Sequence, residues 1–143
     1  MKILFVCTGN TCRSPMAQIL FDNICKKNGR GDIIVRSVGL QACEGVPMME
    51  TARAALKRCK EKVGRKKMVA TRFRYEMVDE YDWVITMTDV HAQTIGPYNN
   101  VKSLGAMVGC SDIADPYMQP IDVYVAVCKQ LRDALSELYR RIV

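Results

Sequence analysis

The stretch VCTGNTCRSP, residues 6–15, overlaps the end of the apolar run ILFV of residues 3–6. A short apolar run without polar alternation predicts a strand that a sheet buries on both faces. Ser14 and Pro15 predict the start of a helix, because proline is favoured in the first helical turn. We therefore expect residues 6–15 to contain a loop that joins the first strand to the first helix.

The rest of the chain alternates apolar runs with segments of helical periodicity. The pattern predicts strands at residues 2–6, 33–35, 83–87 and 101–104, and helices at 14–27, 47–59, 72–80, 89–96 and 123–142, with Asp89 as a helix cap. Alternating strands and helices imply a parallel sheet with helices on both faces. We expect a single α/β domain over residues 1–143, built as a three-layer sandwich around a four-stranded parallel sheet. The loop then lies at the carboxyl edge of the sheet, where such folds bind ligands.

The composition is that of one globular domain. Of the 143 residues, 49% are hydrophobic and 25% are charged, which is typical of folded rather than disordered chains. No apolar run is long enough to span a bilayer, and the N-terminal run is too short for a signal peptide. We therefore expect a cytoplasmic protein without a membrane partner.

Cysteines are frequent, at positions 7, 12, 25, 43, 59, 110 and 128. Their odd number and irregular spacing argue against a disulfide framework in a chain long enough to build its own core. There is no C-x-x-C motif, and the single histidine, His91, is far in sequence from any pair of cysteines. We expect reduced thiols, no metal site and no cofactor.

The net charge of +6 is concentrated in residues 57–74, here called the basic segment, which hold nine of the 21 lysines and arginines and one acid, Glu61. One explanation is a solvated helix end and loop. The other is a docking surface for an acidic partner or nucleic acid. The pattern favours the first explanation, and we expect no nucleic-acid partner.

The residue types in the first loop favour an anion site. Cys7 and Arg13 are separated by five residues, and a loop that curls into a helix start directs several backbone N–H groups into one concavity. Gly9 permits a close backbone approach, and the guanidinium of Arg13 matches two oxygens of a phosphate. The same positive field favours a thiolate on Cys7, which is a nucleophile aimed at phosphorus. The alternative is a buried Cys7 of purely structural role and a surface ion pair for Arg13.

Phosphoryl transfer to a thiolate also requires an acid for the leaving group. Asp115 precedes Pro116 on a loop just before the closing helix, and it is the best candidate for that role. The alternative is an ordinary turn aspartate, which occurs at similar positions in many proteins.

Taken in order, these motifs resemble the low-molecular-weight protein tyrosine phosphatase family. The stretch of residues 6–15 is similar to the phosphate loop of the family, and Asp115-Pro116-Tyr117 is similar to its acid loop. Residues 36–39, residues 83–87 and the closing helix follow in the expected order. The resemblance covers essentially the whole chain and implies a phosphatase, expected to be monomeric, whose partner is a phosphorylated protein.

The resemblance also implies a role for each motif residue. Cys7 would attack phosphorus and form a cysteinyl-phosphate, Arg13 and the loop amides would hold the phosphoryl oxygens, and Asp115 would act first as acid and then as base. The predicted phosphate-binding residues are Thr8, Gly9, Asn10, Thr11, Cys12 and Ser14. Among them, Ser14 would hydrogen-bond the sulfur of Cys7 and Asn10 would hold the loop backbone. Cys12 would be the redox partner that forms a disulfide with Cys7 under oxidants, or else a residue of simple loop packing.

Thr11 bears on the substrate. Tyrosine-specific members usually carry an aliphatic residue at this position, whereas a Gly-Asn-Thr-Cys loop resembles the bacterial protein-arginine phosphatases. Tyr117 is followed by Met118, where many tyrosine-specific members have two adjacent aromatics. We therefore predict hydrolysis of phosphoarginine, with Thr11 and Tyr117 as specificity residues. The alternatives are phosphotyrosine, then arsenate reduction, disfavoured because residues 70–109 contain no cysteine for a disulfide relay, or phosphate binding without turnover.

Three positions depart from the family pattern. A histidine that commonly supports the loop asparagine is absent, since residues 64–68 read GRKKM, so we expect Asn10 to have a different partner. Gln18 stands in the first helix where a glutamate is frequent. Cys43 lies where the family often places an aromatic or serine at the rim of the cleft.

Overall fold

The computed structural model describes residues 1–65 and 67–143, so that Lys66 of the basic segment lies outside the described residues. Its strands are β1 (Lys2–Cys7), β2 (Ile34–Gly39), β3 (Trp83–Thr86) and β4 (Val101–Ser103), and its helices are α1 (Arg13–Lys27), α2 (Glu50–Arg58), α3 (Met77–Glu80), α4 (Asp89–Ile95), α5 (Leu104–Val108) and α6 (Ile121–Ile142). The strands pair in parallel in the order β2-β1-β3-β4. The chain thus leaves β1 toward one neighbour and returns on its other side. The carboxyl end of β1 is the switch point of the sheet, where such folds bind ligands.

Strand β1 alternates between two cores. Ile3, Phe5 and Cys7 pack with residues of α1, α2 and α6, whereas Leu4 and Val6 pack with residues of α3 and α4. All five side chains are at most 2% exposed, which explains why the run in the sequence is apolar throughout rather than alternating. The predicted three-layer α/β fold with a four-stranded parallel sheet is confirmed.

Two predicted elements are shorter because backbone groups pair elsewhere. Helix α2 begins at Glu50 rather than at residue 47, since residues 46–48 pair with residues 68–70 through Ala70 N–H to Val46 O (2.7 Å) and Met48 N–H to Met68 O (3.0 Å). The helix predicted at 72–80 is reduced to α3. Its first residues extend the sheet edge instead, where Phe73 N–H donates to the carbonyl of Gly39 (2.9 Å).

Other boundaries differ for local reasons. Thr88, and not Asp89, caps α4, because the Thr88 hydroxyl accepts the N–H of His91 (3.2 Å). Strand β4 ends at Ser103, whose hydroxyl caps the unpredicted helix α5 by accepting the N–H of Ala106 (3.1 Å). Strand β2 extends to Gly39, since its register with β1 continues to Cys7. Among the described residues, no helix combines the length and the apolarity that crossing a membrane would require.

Candidate active site

The loop between β1 and α1 surrounds the sulfur of Cys7 with polar groups. Cys7 is the last residue of β1 and only 2% exposed. The backbone N–H of Asn10 donates to its Sγ (3.3 Å), and the hydroxyl of Ser14 lies 2.9 Å from the same sulfur. Hydrogen bonds donated to a thiolate favour that charged form. The loop therefore suits a nucleophilic sulfur.

Asn10 holds the loop in its curled conformation. Its φ is +56°, in the left-handed region that asparagine tolerates better than most residues. Its side-chain amide donates to the hydroxyls of Ser14 (2.8 Å) and Ser37 (3.0 Å), and its Oδ1 accepts the backbone N–H of Thr71 (2.9 Å). The hydroxyl of Ser37 in turn donates to Oε1 of Gln18 (2.8 Å). These groups are the different partners that Asn10 needs in a chain without the usual histidine.

The side chains of Arg13 and Asp115 form an ion pair next to the loop. Arg13 is 6% exposed, and its Nη1 donates to the carbonyl of Ile113 (3.0 Å). Its Nη2 lies 3.5 Å from Oδ2 of Asp115, whose side chain is half exposed. The backbone N–H of Tyr117 donates to Oδ1 of Asp115 (3.1 Å) and holds the carboxylate in a turn. The fold thus brings together an anchored cation and an accessible carboxylate from positions far apart in sequence.

A cleft of about 350 Å³ opens over the loop, with Cys7 and Arg13 among its lining residues. The other lining residues are Thr8, Gly9, Thr11, Cys12, Gln41, Cys43, Val46, Met49, Asp115 and Tyr117. Of the sequence-predicted site residues, Asn10 and Ser14 do not line the cleft but are buried beneath it. In residues 1–65 and 67–143, no cluster of three or more histidine, cysteine or acidic side chains could hold a metal ion.

The same fold and loop occur in known proteins. The model of a family described as low molecular weight phosphotyrosine protein phosphatase matches residues 2–143. The chain belongs to this family.

Two curated members show how close the relationship is. A protein-arginine-phosphatase of Bacillus subtilis (strain 168) is 38% identical over 149 residues, which cover 99% of this chain and 94% of the relative. The low molecular weight protein-tyrosine-phosphatase PtpB of Staphylococcus haemolyticus is 35% identical over 96% of this chain and 97% of the relative. The family therefore includes relatives of both specificities at similar distance.

A solved structure supports the comparison at the level of the fold. The C7S mutant of the YwlE arginine phosphatase, with a phosphorylated active site serine, aligns with a TM-score of 0.89 at 32% identity and covers 99% of this chain and 95% of its own. This phosphatase chain is therefore a hydrolase of the low molecular weight class, and phosphoproteins are the substrates that its family implies.

Cys12 is a different kind of thiol from Cys7. Burial raises the pKa of Cys12, and its Sγ lies 3.5 Å from the hydroxyl of the buried Tyr124 and 3.8 Å from that of Thr11. Cys12 is therefore held as a protonated thiol at the end of the loop, just before α1. All seven cysteines are free, and the disulfide between Cys7 and Cys12 stays a prediction.

Sequence reasoning missed two residues of this phosphatase site. His91 places its Nε2 2.8 Å from the hydroxyl of Thr8, and Tyr124 contacts Cys12 from α6. The sequence pattern argues only against a metal-binding role for His91, because no cysteine pair is near it in sequence. Its position five residues after β3, at the same sheet edge as the loop, was the signal that could have found it.

Proposed function

We propose that this protein hydrolyses phosphoarginine residues of phosphoproteins through a cysteinyl-phosphate intermediate. The observation that carries the proposal is the placement of Cys7, Arg13 and Asp115 around one cleft, with Thr11 in its lining. Each of these groups serves one stage of the reaction.

In the first half-reaction, the sulfur of Cys7 attacks phosphorus. A sulfur–phosphorus bond forms as the bond from phosphorus to the guanidino nitrogen breaks, and the electron pair stays on that nitrogen. Asp115 supplies the proton that the nitrogen then takes. Arg13 and the loop N–H groups stabilise the charge that develops on the phosphoryl oxygens, since they are already held in place by Ile113 and the helix start.

In the second half-reaction, water attacks the phosphorus of the intermediate. An oxygen–phosphorus bond forms, the sulfur–phosphorus bond breaks, and its electron pair returns to Cys7. Asp115 takes the proton from the water and is ready to act again as an acid. The relative in which serine replaces the cysteine, and in which the active site serine is phosphorylated, supports a covalent role for the side chain at position 7.

Phosphoarginine suits the cleft for two reasons. Thr11 lines the cleft with a small polar side chain, which offers a phenyl ring less apolar contact than an aliphatic residue would and can orient the attacking water. The half-exposed carboxylate of Asp115 can pair with the planar guanidino group that leaves. The 38% identity with a protein-arginine-phosphatase supports the same choice.

Phosphotyrosine is the second candidate. Val46, Met49 and Tyr117 give the cleft an apolar rim that could contact an aromatic ring. The 35% identity with a protein-tyrosine-phosphatase supports phosphotyrosine as the alternative substrate.

We further propose that the enzyme acts in the cytoplasm. Its seven free cysteines suit a reducing compartment. A reactive Cys7 thiolate also depends on reducing conditions, because oxidation would remove the nucleophile.

The deciding experiment compares kcat/KM for one peptide carrying either phosphoarginine or phosphotyrosine. Thr11→Ile should move the ratio toward phosphotyrosine, since the aliphatic side chain removes the hydroxyl and favours a flat ring. Thr11→Val removes the hydroxyl but keeps the shape, and so separates polarity from size. Thr94→Val, at an exposed position on α4, is the matched control. A ratio that does not move in Thr11→Ile contradicts the assignment of specificity.

The covalent step has its own test. Cys7→Ser should abolish hydrolysis of p-nitrophenyl phosphate and of both peptides. Undiminished turnover by this variant would overturn the mechanism, whichever substrate is preferred.

A further inference from the structure

His91 joins helix α4 to the phosphate loop. Its Nε2 lies 2.8 Å from the hydroxyl of Thr8, the first residue after β1, although the two are 83 positions apart. The side chain is held in place, since His91 is 7% exposed and its backbone N–H is bonded to the capping Thr88 (3.2 Å). The contact is therefore a fixed tertiary link and not a surface encounter.

The ring of His91 is otherwise poorly satisfied. Its Nδ1 is buried and has no hydrogen-bond partner in the described part of the chain. Burying an unpaired polar nitrogen costs stability, and an apolar side chain of similar size would avoid that cost. Within residues 1–65 and 67–143, the one polar contact of this ring is with the phosphate loop, which points to a role in the loop.

The backbone of Thr8 is held from the opposite side. Its carbonyl accepts the N–H of Gln41 (2.9 Å), and an added Cβ at Gly39 would lie only 2.6 Å from the same oxygen. Gly39 ends β2, Gln41 lies two residues after it and His91 follows β3, so Thr8 is held by segments from the two strands that flank β1. The other contacts of Thr8 named here, from Gln41 and Gly39, both come from the β2 side.

Three charged groups, Arg13, Asp112 and Asp115, influence the imidazole ring of His91. Burial and the nearby guanidinium of Arg13 lower the pKa of His91, while Asp112 and Asp115 oppose that shift. The ring is thus neutral at neutral pH. Protonation in acid gives both ring nitrogens an N–H, leaves the one at Nδ1 without an acceptor in the described part of the chain and places a charge near Arg13, which disfavours the folded arrangement of the loop.

We propose that His91 is a positioning residue of the phosphatase site, which holds Thr8 by a hydrogen bond and thereby fixes the start of the phosphate loop for the phosphoryl group. The inference rests on the proposed phosphate chemistry of this loop but not on the choice between phosphoarginine and phosphotyrosine. Its readout is therefore the affinity for inorganic phosphate, which does not depend on that choice.

The experiment measures the inhibition constant of inorganic phosphate and kcat/KM for p-nitrophenyl phosphate in four variants: His91→Ala, His91→Gln, Thr8→Val and the double variant His91→Ala/Thr8→Val. His91→Ala and Thr8→Val should each weaken phosphate binding about tenfold, the effect of one lost buried hydrogen bond. The double variant should be no worse than either single variant. His91→Gln should stay within about threefold of wild type, because its amide nitrogen can replace Nε2.

Thr94→Val on the same helix controls for general effects on α4. Additive losses in the double variant, or an equal loss in His91→Gln and His91→Ala, would overturn the proposal. So would a lower melting temperature of His91→Ala with an unchanged phosphate inhibition constant, since that outcome shows a purely structural role. If wild type did not hydrolyse p-nitrophenyl phosphate through Cys7, that result would refute the proposed function and not the role of His91.

A pH profile adds a readout that packing alone would not move. As the pH falls from 7 to values well below 6.5, the ordinary pKa of histidine, the inhibition constant of wild type should rise relative to that of His91→Gln, because the imidazole takes up a proton there and the amide does not. The titration of phosphate itself is common to both proteins and cancels in the ratio. A constant ratio across the range would overturn the assignment.

Discussion

Ser14 shows how one hydroxyl can serve the proposed nucleophile, Cys7. Its Oγ accepts from the amide of Asn10 (2.8 Å) and lies within reach of the Cys7 sulfur (2.9 Å) and the carbonyl of Val38 (3.2 Å). A hydroxyl has one proton to donate. When Cys7 carries its proton, the Ser14 proton can go to Val38; when Cys7 is a thiolate, it can turn to the sulfur.

Ser14→Ala should therefore slow the thiolate chemistry without removing the nucleophile. Loss of one hydrogen bond to a charged group corresponds to a decrease of about 10- to 100-fold in kcat for p-nitrophenyl phosphate. The rate of alkylation of Cys7 by iodoacetamide at pH 7 should fall as well. Ser136→Ala is the control, since that hydroxyl donates to the carbonyl of Arg132 on its own helix. Unchanged alkylation in Ser14→Ala would contradict this role.

At the scale of elements, the end of β2 is shaped to fit the phosphate loop. Gly39 pairs with Cys7 in the sheet, and an added Cβ there would lie 2.6 Å from Thr8 O, 2.8 Å from Asn10 N and 3.0 Å from Asn10 Cβ. Two of these atoms belong to the backbone and cannot move without displacing the loop. Glycine is needed here for close approach and not for an unusual φ.

Gly39→Ala should consequently damage the site and the fold together. Overpacking of this kind costs about 1–3 kcal/mol in the free energy of unfolding, and displaced loop amides should also raise the inhibition constant of phosphate. Chemical denaturation and phosphate inhibition are the two measurements. Gly31→Ala is the control, because nothing lies within 4 Å of its added Cβ. Equal behaviour of the two variants would show that the contact at Gly39 is unimportant.

For the molecule as a whole, the basic segment, where the net positive charge is concentrated, is joined by backbone pairing to one side of the cleft. Residues 68 and 70 of the basic segment pair with Met48 and Val46, and Val46 lines the cleft. Arg65, Lys67, Arg72 and Arg74 of the same segment are exposed. A field of this kind attracts acidic substrates and is screened by salt, with a Debye length of about 8 Å at physiological ionic strength.

Salt should therefore affect acidic and neutral substrates differently. For a phosphopeptide with acidic flanks, kcat/KM should fall more steeply with ionic strength than for one with neutral flanks. The difference should shrink in Arg65→Gln/Lys67→Gln and persist in Lys129→Gln, at an exposed position on α6. Parallel salt profiles for both peptides would favour the other explanation of the basic segment, a solvated surface.

Much of the molecule follows from local sequence. The apolar run of β1, the Ser-Pro start of α1 and the periodic stripe of α6 are short-range patterns, and they predicted the alternation of strands and helices that the structure confirms. The Cys7 to Arg13 spacing is also local, because a loop that enters a helix must bring those two side chains to one concavity. The element boundaries were less predictable, since residues 47–48 and 72–73, which the sequence pattern predicts as helical, pair with distant backbone instead.

Local sequence patterns predicted the fold class, the proposed phosphate loop and the residue types available for its chemistry. The groups that hold that loop come together through folding alone: Asn10 accepts the N–H of Thr71 across 61 positions, and Thr8 contacts His91 across 83. No pattern in a single sequence records such contacts. They arise because parallel strands place their carboxyl ends at one edge of the sheet, which gathers side chains that are distant along the chain.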